Sequence, residues 1–279
     1  MGGGRGGEIM NAFALPFMRT ALAASVLTGT ALSLLGIFLT ARRVAFSGLA
    51  VSQLAALGTV VGISLLDFHR GGGGLALVFV GLGMYLLSRL SKTRTAPSEA
   101  WVAALYVLGA GAAVLVLAKA PRGESETLGV FFGNVLSLTP TEVGESLALA
   151  LSVIVLTSVW FRRWLWIFFD PVSAEVSGIA VERWNFLFYA LFAVAMTLAI
   201  HIVGVLLGFA YLILPATAGF VLVRRVRSLF FFVPVLTALV TVLGFAGSFR
   251  FDLPTGPFVA VLLVGTVLLA KGVAVVRGR

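Results

Sequence analysis

Phe169-Asp170-Pro171-Val172-Ser173-Ala174-Glu175-Val176-Ser177-Gly178-Ile179 is the stretch on which the reading of this chain turns. Asp170 followed by Pro171 reads as a helix start: a carboxylate cap, then proline at the first helical position, where its missing N–H costs nothing. Gly178 reads as a stop, because glycine takes the left-handed conformation that ends a helix. The stretch is expected to form a short helix of about two turns. It lies between two long apolar runs, 143–161 and 185–201. That context places it at a membrane surface. Local physics leaves two readings open: a knob that a motor subunit grips, or a plain interfacial helix.

Working outward, further apolar runs occur at about 15–40, 47–66, 74–90, 100–118, 203–223, 229–249 and 257–276. Each is long enough to cross a bilayer as a helix. Hydrophobic residues are 60% and charged residues 11% of the 279 positions. A soluble domain carries about 25% charged residues, so the chain reads as an all-α integral membrane protein, a bundle of eight or nine spans. The count depends on 201–204, where two runs almost touch. They form either a tight helical hairpin or one long bent helix. The glycine-rich residues 1–10 are expected to be a flexible N-terminus, with 11–279 as one transmembrane domain. The first apolar run continues into further spans, so no cleavable signal peptide is expected.

The net charge of +9 does not point to nucleic acid, because the basic residues sit in short clusters between apolar runs. Fourteen of the twenty fall on one side of a nine-span arrangement: Arg42, Arg43, Arg89, Lys92, Arg94, Arg162, Arg163, Arg183, Arg224, Arg225, Arg227, Lys271, Arg277 and Arg279. That side is cytoplasmic by the positive-inside rule, with the N-terminus outside. Eight spans would put basic loops on both sides, so nine is favoured. Gly58-x-x-x-Gly62 and Gly204-x-x-x-Gly208 read as paired glycines on helix faces that pack closely.

Catalytic signatures are missing. There is no phosphate-binding G-x-x-x-x-G-K-[ST], no H-E-x-x-H and no G-x-S-x-G, and the chain has no cysteine. It is not expected to be an enzyme or to hydrolyse ATP itself. A transporter, a channel or a scaffold remains.

Four stretches together resemble the permeases of the bacterial ABC-type zinc, manganese and iron importers. Phe169–Ile179 is similar to that family's F-D-P-x-x-A-x-x-x-G-[IV]. Val203-Gly204-Val205-Leu206-Leu207, continuing to Leu214-Pro215-Ala216-Thr217-Ala218, is similar to V-G-x-L-L…[LI]-P-A-A-T-A. Asp252-Leu253-Pro254-Thr255-Gly256-Pro257 is similar to D-x-P-[AT]-G-P. Leu128-Gly129-Val130-Phe131-Phe132-Gly133-Asn134, with Thr139-Pro140, is similar to L-x-x-L-F-G-D…T-P. The resemblance runs from about Asn11 to the end. It implies a multi-pass permease of the bacterial inner membrane, of the type II ABC importer kind. A second permease copy, a cytoplasmic ABC ATPase holding ATP and magnesium, and a periplasmic solute-binding protein would be its partners. No cofactor would be bound by this chain, and a divalent metal would be its cargo. Asp170, Pro171, Glu175 and Gly178 would form the coupling helix seated in the ATPase.

The second span departs from the family pattern. Where the family reads G-D-x-x-S-H-A…P-G, this chain reads Gly48-Leu49-Ala50-Val51-Ser52-Gln53-Leu54, ending at Leu57-Gly58. Leucine cannot ligate a cation, and glutamine offers one neutral oxygen, so the metal inference is weakened while the fold inference stands. Leu49, Ser52 and Gln53 are expected along the translocation path, with Pro215 as a hinge or kink. His201, His69, Asp67 and Asp252, all on the outer side, are the remaining metal-ligand candidates, although D-x-P-x-G-P is also good turn chemistry for Asp252. The rivals are the same fold carrying a non-metal or chelated substrate, a secondary transporter, which would need an intramembrane carboxylate, and a scaffold without transport.

Overall fold

The computed structural model describes residues 16–41, 45–66, 72–90, 98–118 and 139–276, and these are helical almost throughout. In chain order the helices are α1 (Pro16–Ala41), α2 (Ala45–Leu66), α3 (Gly72–Leu90), α4 (Ser98–Leu117), α5 (Pro140–Val159), α6 (Phe161–Phe169), α7 (Pro171–Val176), α8 (Val181–Leu222), α9 (Val226–Phe251) and α10 (Thr255–Val276). Within lipid every backbone N–H and C=O must find a partner inside the chain, and a helix achieves this segment by segment. Six of these helices are long and apolar enough to cross a membrane by length and composition, and shorter apolar stretches within α2 and α3 add to them.

The uncertain junction resolves as a hairpin. Gly204, at φ 79° and ψ 170°, is the one non-helical residue inside α8. A Cβ placed on Gly208 would lie 3.2 Å from Met196 Cε and 3.9 Å from Ala199 Cβ. Along a straight helix those residues would stand roughly 13–18 Å apart. Likewise Phe192 and Leu212 both approach the same point on Gly48. The chain therefore reverses at Gly204 and forms two antiparallel halves, α8a (181–203) and α8b (205–222). Each is about 27–35 Å long at 1.5 Å per residue, enough to cross the hydrocarbon. This gives nine crossings among the described residues, with both ends of α8 beside basic clusters of the sequence. It also corrects the expectation for Gly204-x-x-x-Gly208: Gly204 is the turn, and only Gly208 is a packing glycine.

Other glycines mark where helices meet. Tyr211 lays its ring edge 3.0 Å from a Cβ position on Gly29, and Gly36 lies against the Leu212 carbonyl so closely that no side chain fits. Gly58 meets the α3 backbone at Ala76, as its motif leads one to expect, and Gly109 of α4 meets the α2 backbone at Gln53. Tyr211 Oη and Thr241 Oγ1 are hydrogen-bonded at 2.9 Å, joining α8b to α9 in the buried centre. The hydroxyls of Thr217 and Thr237 donate to carbonyls four residues back, which spares them an unpaired polar group in an apolar setting.

At the cytoplasmic end the bundle is closed by rings. Phe38 of α1 lies within 5.1–5.8 Å, centroid to centroid, of Trp164, Phe168, Phe188 and Phe230. These come from α6, α8a and α9. Most of the pairs are edge-to-face, the arrangement that ring quadrupoles favour.

Because the chain lacks cysteine, single cysteines report topology directly. H201C should react with an impermeant thiol reagent in intact cells, and R225C only after permeabilisation. Labelling of both from the same side would refute the hairpin. Gly36→Ala should prevent formation of a monodisperse protein in detergent. Gly144→Ala, whose Cβ meets nothing within 4 Å, should leave stability unchanged or raise it by up to about 1 kcal/mol, read as an equal or slightly higher Tm.

Candidate coupling and translocation site

The eleven residues around α7 fold as their order suggests. The Asp170 carboxylate accepts a hydrogen bond from the Ser173 N–H at 3.0 Å, and Pro171 occupies the first turn. At the far end Gly178 takes φ 83°. The Gly178 N–H then donates to the Glu175 carbonyl, and the Ile179 N–H to the Ala174 carbonyl, at 3.0 and 3.1 Å. These two bonds make a Schellman stop, which needs the left-handed residue that glycine supplies. The helix is one turn and a half, slightly shorter than expected.

The faces of α7 differ. Ala174 is fully buried against the bundle core. Val172 and Val176, one turn apart, are 70% and 85% exposed, and Glu175 is exposed beside them. Phe169, just before the cap, is 54% exposed. The basic clusters assign this side to the cytoplasm. The bundle leaves an apolar knob with one carboxylate uncovered, held at both ends by caps.

Before α7 runs a helix that composition did not disclose. Phe161–Phe169 was expected to belong to the end of a span and a loop. Instead α6 buries Trp164, Ile167 and Phe168 and exposes Arg162, Arg163, Trp166 and Phe169. The spacing Trp160, Trp164, Ile167, Phe168 is an amphipathic signature that could have revealed it. Arg163 stacks over Trp184 at 5.1 Å, tying α6 to the start of α8a.

The second-span residues lie inside the protomer. Leu49 is half-buried, and the Ser52 hydroxyl donates to the Leu49 carbonyl at 2.8 Å. Gln53 is 5% exposed beneath α4, and its Oε1 has no hydrogen-bond partner. Pro215 is buried in α8b, where the backbone stays helical. On the outer side, exposed His201 has Nδ1 3.0 Å from the Thr197 carbonyl. Asp252 takes the left-handed conformation at the end of α9, and Ser248 Oγ donates to the Leu253 carbonyl at 2.7 Å and meets Thr255 Oγ1 at 2.9 Å. That is a helix-ending turn, and the Asp252 carboxylate is exposed. His69 and Asp67 lie outside the described residues, as does the 128–134 stretch. Thr139 and Pro140 start α5, where the Glu142 carboxylate accepts from the Thr139 N–H at 2.6 Å. Among the described residues no three His, Asp or Glu side chains gather where they could hold a metal ion.

Replacing Asp170 by Ala should cost the cap about 1 kcal/mol, which is roughly fivefold faster amide exchange at Ser173. Exchange across 171–179 in the D170A chain, compared with the parent, tests this. Unchanged protection would mean that the cap is not what holds α7.

Comparison with known proteins fits this geometry. The family model described as "ABC 3 transport family" matches residues 14–274. The chain is 24% identical to the manganese transport system membrane protein MntC of Listeria innocua serovar 6a, over 90% of this chain and 88% of that one. It is 26% identical to the chelated iron transport system membrane protein YfeD of Yersinia pestis, over 91% and 84%. Among solved structures, PsaBC from Streptococcus pneumoniae in complex with Fab superposes with a TM-score of 0.86 at 19% identity, covering 95% of this chain and 94% of that one. This chain is a multi-pass membrane protein, and it belongs to the ABC 3 transport family.

Proposed function

We propose that this chain is the permease through which an ATP-driven importer passes a divalent metal ion, with manganese and iron the first candidates. The relatives named for manganese and chelated iron support the cargo. The observation that carries the mechanism is the capped knob of α7, with Val172 and Val176 exposed where the bundle does not cover them. An apolar patch held rigid by caps at both ends fits a partner surface. In this reading the partner is the ABC ATPase, which binds ATP and magnesium. Its movements enter through Asp170, Pro171, Glu175 and Gly178 and reach α8a and α6. A second permease copy completes the path, and a solute-binding protein delivers the ion on the outer side.

A second reading keeps the fold and changes the cargo. Leu49 and Gln53 replace a carboxylate and an imidazole, so this span offers a passing cation one neutral oxygen. A chelated metal or an organic solute makes fewer demands on that position. Ser52, Gln53 and Pro215 then line or shape the path without holding an ion, and His201 and Asp252 serve the outer surface.

Elemental mass spectrometry on cells with and without this gene, in medium limiting for manganese, iron and zinc, separates the two. A fall in one metal that the gene restores supports metal import. No change in any metal, in a strain without a second importer, leaves the chelate or organic reading. Glu175→Lys should reduce restored uptake by about tenfold, the effect of roughly 1.4 kcal/mol at an interface, with the amount of protein in the membrane unchanged. Full uptake by E175K would remove α7 as the coupling element.

A further inference from the structure

Where α5 passes into α6, two adjoining cavities have different chemistry. The first, about 540 Å³, lies along 158–163 and is bordered by Ser158, Trp160, Arg162 and Arg163. The second, about 450 Å³, runs between α1, α5 and α9 and is lined by Thr30, Leu34, Ile154, Phe161, Phe230 and Pro234. Ser158 and Phe161 border both, so the two adjoin and are taken together as one open groove. Its position in the bilayer follows from the helices. Phe230 lies about one turn from the cytoplasmic start of α9, while Thr30 lies roughly 16 Å up α1 from Ala41. The apolar part thus spans the depth of one leaflet, about 15 Å. Its basic end sits at the cytoplasmic interface.

The polar groups at that end make few contacts among the described residues. Arg162 is exposed and has no ion pair or hydrogen bond among the described residues, and neither does the hydroxyl of Ser158. Arg163 is held by its face on Trp184, which leaves the edge of its guanidinium open. Two arginines and a hydroxyl above an apolar crevice match a phosphate above an acyl chain. Ile154, 43% exposed on the wall, leaves the crevice open on the outside of the chain.

We propose that this groove is a binding site for one anionic phospholipid of the cytoplasmic leaflet, its phosphate on Arg162, Arg163 and Ser158 and an acyl chain between α1, α5 and α9. The site does not depend on which solute the permease carries. It also has a position of consequence: the lipid would lie against α6, the helix that leads directly into α7, and against Phe230, which touches Phe38 at 5.1 Å. Occupancy of the groove would stiffen the base from which the coupling helix hangs.

Native mass spectrometry of the full chain, purified in detergent and titrated with phosphatidylglycerol or phosphatidylcholine, tests this. The expected result is one phosphatidylglycerol retained per chain, with roughly tenfold or greater preference over phosphatidylcholine. The R162Q/R163Q chain should lose that preference, and K271Q, a basic change elsewhere on the cytoplasmic side, should keep it. Ile154→Trp, which fills the crevice and leaves the arginines, should lower retention of both lipids, so a fault in folding at α6 alone cannot mimic the result. Equal retention of the two lipids, or equal effects of R162Q/R163Q and K271Q, would overturn the proposal. So would displacement of the lipid by inorganic phosphate alone at matching concentration, which would mark a phosphate site. Efficient disulfide formation between two S158C chains would also overturn it, since a second copy would then occupy the groove.

Discussion

Lipid tails are as apolar as leucine, so leucine buried between helices in a bilayer gains little over leucine facing lipid. Close van der Waals contact has to hold the bundle instead. In this chain it is closest where α8b lies across α1 and α2. Gly29 meets the ring of Tyr211, Gly36 meets the Leu212 carbonyl, and Gly48 meets the Leu212 side chain. Three glycines on two helices thus receive two consecutive residues of a third. Once α8b is seated, its partner α8a is fixed beside it through Gly208 and Met196, and α9 is fixed through Tyr211 and Thr241. The remaining spans are laid on from outside, and their outward faces are apolar because they meet lipid or another chain.

The second organising element is the set of rings below that crossing. Phe38 touches rings from three other helices, and each such pair contributes about 0.5–1.5 kcal/mol beyond area burial. Since α6 and α8a both end in this set, and Ala174 of α7 belongs to the same buried core, the knob is carried by packed side chains. Motion imposed on α7 would reach the spans through close contacts. A permease that must answer a motor in another chain needs such a connection, since flexible loops would absorb the stroke.

Much of this could be read in the sequence, for reasons that are local. Span lengths follow from runs of apolar residues, and the α7 caps follow from Asp170, Pro171 and Gly178, whose roles need no distant partner. What was not legible depended on tertiary choice. A G-x-x-x-G pattern says that two positions lack a Cβ, but not whether that freedom serves packing, as at Gly58, or a reversal, as at Gly204. Arg162 and Arg163 read as a loop because charge interrupts an apolar run, although the residues around them keep a helical spacing. The second span shows a further limit. Ser52 and Gln53 are polar residues in a membrane helix, which says that they matter without saying which way the helix is turned. Here Gln53 lies under Gly109 of α4.

The reversal at Gly204 occupies a single residue. Most connections between membrane spans have slack, so that one helix can tilt or slide while its neighbour stays. Here the two halves of α8 share one pivot and meet at Gly208, Met196 and Ala199, so neither has slack in which to slip along the other. Their geometry is that of a two-armed lever. One arm starts beside α7 at Val181, and the other returns to the same membrane face at Leu222 after running through the close contacts with Gly29, Gly36 and Gly48. A tilt given to the first arm would therefore pass to the second through the pivot.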